Sequence, residues 1–449
     1  RLRRLDAALG DAPRPYRRAS LPGQPFDAPV DAGLSLTAAL DRVSTERPER
    51  VYLQVGLQGS KRFGWRRPPL DVVLVVEAGL VGEPLVAAVT ALMRRLGAQD
   101  RFGVVLAEDT PRVLGPLASV RDQRSVLARQ IEALESDGRA DPRALAAAMR
   151  EAGAALTRAA DDQARIPGSG TVLVLTQSSD PTRITAATEA AHALTVQGAV
   201  TSVIELGHSG AWWPVANAGH GNAHRGDTAG LGTIVDAELD SISRVIARLL
   251  RINIRLAPGV EAIRILGSRK LDEQEVRQVK AREEATDRNL SKTMGVKADR
   301  GDDDDGIQTV IPYFYGGDAH VILVELWVTR PGPVAEVTLK YKDMVELDNA
   351  TARAAVQLDR VPRPRGPIEK RVAANVRGFR LAEGLASAAR LGNAGSVLDA
   401  LEGLEELAVG DDADVLVEFE RLVRQRGADS TVADALRMAR DRRIGHFER

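Results

Sequence analysis

Cysteine is absent from this chain of 449 residues. Its absence excludes disulfide bonds, cysteine-ligated zinc and thiol catalysis. Aromatic residues make up only 4% of the sequence, so the core must be built from Val, Leu, Ile and Ala. The sequence has no apolar run near the roughly 20 residues that cross a bilayer, and no transmembrane segment is expected.

The chain also has little net charge. Its formal charge is -1 although 27% of its residues are charged, so no bulk field attracts nucleic acid. The length allows two or three domains, each with its own core. The sequence begins with Arg1 rather than Met, and we expect that an upstream segment, such as an export signal, was removed or omitted.

Sequence motifs for catalysis are missing as well. There is no Gly-x-Ser-x-Gly, no Ser/His/Asp order and no recognisable pair of acids, so we expect no catalytic residue, no cofactor and no small-molecule substrate. His220 and His224 stand four apart among glycines, which favours surface or turn histidines over a zinc site. The acidic run Asp302–Asp305 fails the EF-hand spacing, and a solvated loop is the expected alternative.

The most informative segment is a short β-branched run at residues 70–76 that ends at Glu77 and is followed by a glycine-containing loop. Such a run is typical of a buried strand in a parallel sheet. Strands and helices then alternate to residue 250, which predicts a parallel sheet with helices on both faces. The predicted strands are 70–76, 101–106, 171–176 and 200–206, and the predicted helices are 84–96, 120–134, 142–159, 184–197 and 234–250. Glu77 and Gln177 fall at the carboxyl ends of strands, where such sheets place their binding crevice.

The alternation of strands and helices ends after residue 250, where predicted strands follow one another without long helices between them. The predicted strands are 252–256, 262–266, 307–314, 320–329 and 335–342, and they indicate a β-sandwich that a strand near residue 52 completes. The charged stretch 271–285 is left open between a surface helix and a mobile loop. Helical patterns at 368–390, 394–407, 413–426 and 432–440 predict a small bundle. The domain prediction is an extended N-terminal arm at 1–35, a strand segment at 36–70 joining the sandwich, an α/β domain at 71–250, the sandwich at 251–360, and a linker with the helical C-terminal bundle at 361–449.

Several motifs in order resemble bacterial von Willebrand factor A (vWA) domain proteins of the type labelled Ca-activated chloride channel homologues. The motifs are Arg67-Pro68-Pro69-Leu70-Asp71, Asp100-Arg101-Phe102-Gly103, Gly219-His220-Gly221-Asn222 and Tyr341-Lys342-Asp343-Met344. The resemblance implies an α/β fold: a doubly wound parallel-sheet vWA domain plus a β-sandwich domain and a C-terminal helical segment. It also implies a metal-ion-dependent adhesion site formed by three loops. The channel label does not transfer to this chain, because no spanning segment is present to form a pore.

The resemblance places the metal ligands of that family on positions that lack them here. Where the family has Asp-x-Ser-x-Ser on the first loop, this chain has Glu77, Gly79 and Val81. Ala140 stands where a Thr is expected, and Gln177 stands where an Asp is expected. Mg²⁺ favours converging oxygen ligands in near-octahedral geometry. We therefore expect these five positions to be vestiges of a degenerate metal site that binds no metal.

The same loops suggest candidates for partner binding. Arg139 is expected to point into the space that the metal would fill. Trp212 and Trp213 either anchor a partner surface or pack into the junction with the next domain, and the sequence leaves both alternatives open.

These observations predict a non-enzymatic scaffold for protein–protein interaction, a bacterial subunit of a cell-envelope or extracellular assembly. Protein partners are expected, with copies of the chain itself, joined through the N-terminal arm, among the options. Two alternatives stay open: a metal-dependent adhesin or receptor that uses Glu77 in an altered site, and a cytoplasmic vWA partner of an AAA+ ATPase.

Overall fold

The computed structural model describes most of the chain: residues 24, 26–61, 68–134, 140–162, 168–207, 211–266, 268–294, 306–344, 346, 348–388, 394–404, 413, 416, 417, 420, 421, 423, 424, 446 and 447. Most of the N-terminal arm, Arg139, the acidic run 302–305 and the predicted helix 432–440 lie outside these residues.

The described residues form strands and helices in the following order. The strands are β1 Leu34–Leu40, β2 Glu49–Gly59, β3 Leu70–Glu77, β4 Arg101–Ala107, β5 Arg112–Ser119, β6 Ser169–Thr176, β7 Val200–Leu206, β8 His220–Gly226, β9 Val245–Leu256, β10 Val260–Leu266, β11 Ile307–Tyr315, β12 Ala319–Val328, β13 Gly332–Asp343, β14 Asp348–Leu358 and β15 His446–Phe447. The helices are α1 Glu83–Arg95, α2 Val120–Glu132, α3 Ala144–Asp161, α4 Pro181–Val196, α5 Trp213–Ala218, α6 Leu231–Ile242, α7 Glu273–Met294, α8 Pro367–Ala388 and α9 Ala394–Glu402.

The first body is a six-stranded sheet in the order β5-β4-β3-β6-β7-β8, parallel except for the edge strand β5. Alternate residues of β3 face opposite layers. Leu74 packs with α1 and α6, whereas Val75 packs with α3 and α4. Helices therefore cover both faces, and the predicted doubly wound architecture is confirmed. The chain reverses its direction of travel between β3 and β6, so the carboxyl ends of these strands form the crevice of the sheet.

The second body is a sandwich of two antiparallel sheets. The first sandwich sheet runs β1-β2-β12-β10, with β15 paired to β12, and the second sandwich sheet runs β11-β9-β13-β14. Their inner faces bury an aliphatic core that includes Leu53, Ile252 and Val324. β1 begins at Leu34, so the last part of the predicted arm is already a strand. The polar alternation of β14, exposed on every second residue, was missed by the sequence prediction.

One predicted helix is wrong in its second half. Helix α6 ends at Ile242, and residues 245–256 form β9, which pairs with both β11 and β13. The segment 245–250 is apolar enough to fit either period, and pairing on both sides decides for the strand. Leu249 takes a left-handed φ of 48° where the register with β13 shifts. Beside this irregularity, Arg248 donates to the carbonyl oxygen of Gly168 (2.9 Å), which joins the sandwich to the base of the parallel sheet.

The charged stretch that the sequence left open is helix α7. It covers the outer face of the second sandwich sheet through ion pairs as well as apolar contacts: Arg251 lies 3.6 Å from Glu283, and Lys342 lies 3.4 Å from Asp287. The same helix reaches the parallel-sheet body, because the Asn289 side-chain amide donates to the carbonyl oxygen of Ala160 (2.8 Å). Its charged sequence therefore matches a polar sheet surface.

The described end of the N-terminal arm packs on its own chain. Phe26 lies in an apolar cluster with Tyr52 of β2 and Phe379 of α8, and Gln24 exchanges hydrogen bonds with Asn375 of α8. Gly56 is required beneath the arm, because a Cβ there would lie 2.3 Å from the Phe26 ring. Gln24 and Phe26 therefore lie on their own chain, and self-association through the arm stays a prediction.

A buried polar cluster fixes the edge strand β8 to the rest of the sheet. Glu238 of α6 accepts hydrogen bonds from Ser202 (2.6 Å) and Asn222 (2.8 Å), and its carboxylate lies 2.7 Å from Nε2 of His224. His224 is only 1% exposed, so the prediction of a surface or turn histidine is wrong for this residue. Burial alone would raise the pKa of Glu238. The hydrogen bond and electrostatic interaction with His224, together with the hydrogen bonds from Ser202 and Asn222, outweigh burial, so the pKa of Glu238 is lowered.

We predict that Glu238→Gln lowers the free energy of unfolding at neutral pH by about 1–3 kcal/mol, because buried donors lose a charged acceptor. Because the pKa of Glu238 in the folded protein lies below its ordinary value of 4.5, the unfolded chain binds more protons in this range. The stabilisation that the Glu238 carboxylate gives the folded protein is fully present above pH 4.5, and it is lost as pH falls through the pKa of Glu238 in the folded protein. Urea unfolding at stepped pH should show the two proteins converging in acid. Glu336→Gln, at a side chain 72% exposed, is the control; a constant gap would contradict the prediction.

Candidate functional site

The carboxyl edge of the parallel sheet holds a compact polar cluster around Glu77, the last residue of β3. We define the Glu77 cluster as Glu77, Thr176, Gln177, Ser178 and Arg183. Three donors from the end of β6 and the loop after it reach Oε2 of Glu77: the Thr176 hydroxyl (2.8 Å), the Gln177 N–H (2.9 Å) and the Ser178 N–H (3.2 Å). This oxygen is thereby fully engaged by the protein.

The other carboxylate oxygen of Glu77 is held by Arg183. Nη1 of Arg183 donates to Oε1 of Glu77, and Nη2 donates to the carbonyl oxygen of Ala140 (3.3 Å). The side chain of Glu77 is only 8% exposed, and that of Arg183 is 15% exposed. One guanidinium therefore joins the loops that follow β3 and β6 to the segment that leads into α3, and it is the cation at the centre of this edge.

Local sequence explains why Arg183 points into the cluster. Asp180 caps α4 by accepting from the Thr182 N–H (2.9 Å), and Pro181 occupies the first helical position. Arg183 is the third residue of this helix, and helical side chains lean toward the N-terminus. A cation in the first turn opposes the helix dipole, so the buried Glu77 carboxylate must compensate for it.

The structure brings some of the predicted metal-site positions together and separates others. The Gln177 N–H donates to Glu77, and the Ala140 carbonyl is linked to Glu77 through Arg183, so both positions take part through backbone groups rather than side chains. Gly79 is exposed in the 3₁₀ turn Ala78–Leu80, and Val81 packs half-buried against the apolar core next to it. Arg139, predicted to supply the cation here, lies outside the described residues. Arg183 was missed, although an arginine in the first turn of a helix beside the sheet edge is a readable signal.

These residues do not fit a divalent cation. Mg²⁺ requires converging oxygen ligands at about 2.0–2.1 Å. Gly79 and Val81 offer no side-chain oxygen, and the Ala140 carbonyl already accepts from Arg183. Both oxygens of Glu77 are bound by protein donors, and a guanidinium stands against the carboxylate where a metal ion would need to approach. A metal ion beside Glu77 would be repelled by the positive charge of Arg183 and would find both carboxylate oxygens already bound.

The tandem tryptophans lie beside the cluster and inside the domain. Trp212 is 1% exposed and packs among core residues of the parallel-sheet body, and its Nε1 donates to the carbonyl oxygen of Ser178 (2.6 Å). Trp213 is also buried, at 7% exposure, and it begins helix α5. Neither ring is an exposed anchor for a partner, so that alternative is wrong. Trp212 instead supports the loop that surrounds Glu77.

Comparison with solved structures shows the fold. The chain superimposes on a von Willebrand factor type A protein from Catenulispora acidiphila with a TM-score of 0.61 at 12% identity, covering 92% of this chain and 97% of that one. It superimposes on the ArnB paralog VWA2 from Sulfolobus acidocaldarius with a TM-score of 0.56 at 15% identity, covering 92% and 99%. The chain has a vWA fold. No protein-family model and no curated protein matches its sequence.

Because both superpositions cover nearly the whole chain, the similarity extends beyond the parallel sheet into the sandwich. At these identities the comparison establishes architecture alone. The properties of the Glu77 cluster must therefore be argued from the side chains of this chain.

We predict that Arg183→Ala lowers the free energy of unfolding by about 3–5 kcal/mol, because it leaves the buried Glu77 carboxylate without its cation. Adding Glu77→Gln to that variant should recover part of the loss, since a neutral amide is less costly to bury unpaired. Urea unfolding of the wild type, both single variants and the double variant gives the coupling energy.

Arg143→Ala is the matched control for this cycle. Arg143 lies exposed on the same edge of the sheet, and replacing it should change the free energy of unfolding by less than about 0.5 kcal/mol. Additive effects of the Arg183 and Glu77 variants would contradict a direct ion pair.

Proposed function

We propose that the chain is a non-enzymatic scaffold for protein–protein interaction, a subunit of a cell-envelope or extracellular assembly, and that its vWA edge binds a partner without a divalent cation. The observation that carries the proposal is the Arg183 guanidinium held against Glu77 and the Ala140 carbonyl. An internal cation neutralises the carboxylate permanently, so this edge needs no exchangeable ion to reach its folded form.

The surface around the cluster supports contact with a protein. Gly79, Gln177 and Ser179 are exposed around the half-buried Arg183, and Val86 in the first turn of α1 is 46% exposed. Small and polar groups beside an exposed apolar side chain suit a partner that binds by shape, hydrogen bonds and modest apolar contact. Such a partner does not depend on metal coordination.

Two features support the absence of enzymatic activity. Among the described residues, no group of three or more His, Cys, Asp or Glu side chains is arranged to hold a metal ion. The buried Ser202, Glu238 and His224 resemble a triad only in composition, because the Ser202 hydroxyl donates to Glu238 rather than to the histidine, and Ser202 is fully buried. A serine without an adjacent base and without access to substrate is not an activated nucleophile.

The location and the assembly are part of the proposal. No helix in the described part of the chain is long and apolar enough to cross a membrane. The envelope or extracellular location is proposed from the family resemblance of the sequence. Self-association through the arm is proposed only for the residues that precede Gln24, because Gln24 itself binds α8. Arg183 disfavours the alternative of a metal-dependent adhesin with an altered site. The other alternative, a cytoplasmic partner of an AAA+ ATPase, differs from the proposed function mainly in cellular location.

The test is recovery of partners from the native cell lysate on the immobilised chain, in buffer with Mg²⁺ and in buffer with a chelator. We expect the same partner in both, because no exchangeable cation takes part. Gln177→Arg places a long charged side chain on the edge and should abolish recovery. The matched control is Glu336→Arg on the exposed face of β13, which should retain the partner.

Recovery that needs Mg²⁺ would contradict metal-independent binding. Recovery unchanged by Gln177→Arg would place the partner on another surface and remove the edge from the proposal. Light scattering of the purified chain over a concentration series then separates self-assembly from binding of a different protein.

A further inference from the structure

A lysine, an asparagine and an aspartate meet beneath helix α7, away from the Glu77 cluster. Lys342 near the end of β13 lies directly opposite Asn349 on β14. Cβ atoms of such cross-strand pairs are about 4.5–5.5 Å apart, so the lysine side chain can fold over onto its neighbour. Nζ of Lys342 contacts Oδ1 of Asn349 at 2.5 Å. The amine nitrogen is therefore next to the carboxamide carbon that carries this oxygen.

The third member comes from the covering helix. Oδ1 of Asp287 lies 3.4 Å from Nζ of Lys342, and the two side chains are 2% and 1% exposed. Burial at this depth makes separate charges costly, and Asp287 is the carboxylate placed to take a proton from the Lys342 ammonium. A neutral amine is the nucleophilic form of lysine. Asn349, which carries the carboxamide, is half-buried at the edge of this site.

We propose that Lys342 and Asn349 form an intramolecular amide bond between Nζ and Cγ, with Asp287 as the acid–base group. The bond is a covalent modification site that links β13 to β14 beside the turn of their hairpin. Proximity within the folded chain supplies the orientation that makes a carboxamide reactive toward an amine. No oxidant, metal or cofactor is required.

The atoms and protons of this reaction balance. Asp287 takes one proton from the Lys342 ammonium, and the lone pair of Nζ then attacks Cγ of Asn349 to form a tetrahedral intermediate. Nζ loses a second proton, which Asp287 relays to Nδ2, and the Cγ–Nδ2 bond breaks as ammonia leaves. The proton first taken by Asp287 departs with that ammonia as ammonium. The products are a secondary amide and one ammonium ion.

The intact mass of the purified full chain, measured after denaturation, tests the proposal without any variant. We expect a mass lower than that of the sequence by one ammonia. Trypsin should fail to cut after Lys342, because an acylated lysine is not recognised. The digest should contain residues 341–353 as one peptide that lacks one ammonia and gives no fragment ions between positions 342 and 349.

A chain of full mass that trypsin cuts after Lys342 would overturn the proposal. A missing ammonia on a linear peptide cut after Lys342 would also overturn it, since that result describes cyclisation of an asparagine on its own backbone. Both measurements are made on the wild-type chain, so neither depends on a variant that folds poorly.

Variants then assign the roles. Lys342→Arg keeps a cation beside Asp287 but should restore the full mass, and Asp287→Asn should lose most of the cross-link. Glu283→Gln is the matched control, because Glu283 lies one helical turn before Asp287 and pairs with Arg251 instead (3.6 Å). It should retain the cross-link. An unchanged yield in Asp287→Asn would overturn the acid–base role of the aspartate.

Discussion

The buried ion pair between Glu77 and Arg183 sets the chemistry of the functional edge. It lies where the chain reverses direction between β3 and β6, at the place where open parallel sheets form their binding crevice. Three donors from residues 176–178 hold one oxygen of the carboxylate, and the guanidinium holds the other and the Ala140 carbonyl. The result is an edge whose loops are held by hydrogen bonds and an ion pair between protein groups.

Buried polar groups also pair with one another where the sandwich meets the parallel-sheet body. At the base of the parallel sheet, Arg248 of the sandwich donates to the carbonyl oxygen of Gly168 (2.9 Å). The Gly170 N–H donates to the hydroxyl of Tyr313, also of the sandwich (2.8 Å). Helix α7 spans both bodies and covers charged residues of the second sandwich sheet. Buried hydrogen bonds thus join the two bodies together with apolar contacts, in which Val245, Tyr313 and Tyr315 pack against the core of the parallel-sheet body.

The sequence predicted the elements whose period is unambiguous and missed those decided by pairing. The parallel strands and most flanking helices follow from alternation between β-branched runs and helical spacing. Residues 245–250 fit both periods, and only the neighbours β11 and β13 make them a strand. At the site, Glu77 and the missing ligands were readable from the three loops that the resemblance identifies, but Arg183 comes from a helix more than a hundred residues from Glu77. The position of Arg183 in the first turn of its helix is a readable signal, but its pairing with so distant a carboxylate is not. The burial of Trp212 and His224 likewise depends on tertiary packing.

We propose that the Arg183 guanidinium stands where a metal ion would otherwise bind on this vWA fold. Titration of the wild-type chain with Mn²⁺, followed by the electron paramagnetic resonance signal of the free aqueous ion, tests it most directly. We expect the signal to grow in proportion to added Mn²⁺, as in buffer alone, because protein donors already bind both oxygens of Glu77. Loss of one equivalent of signal in the wild type, restored in Glu77→Gln, would contradict it.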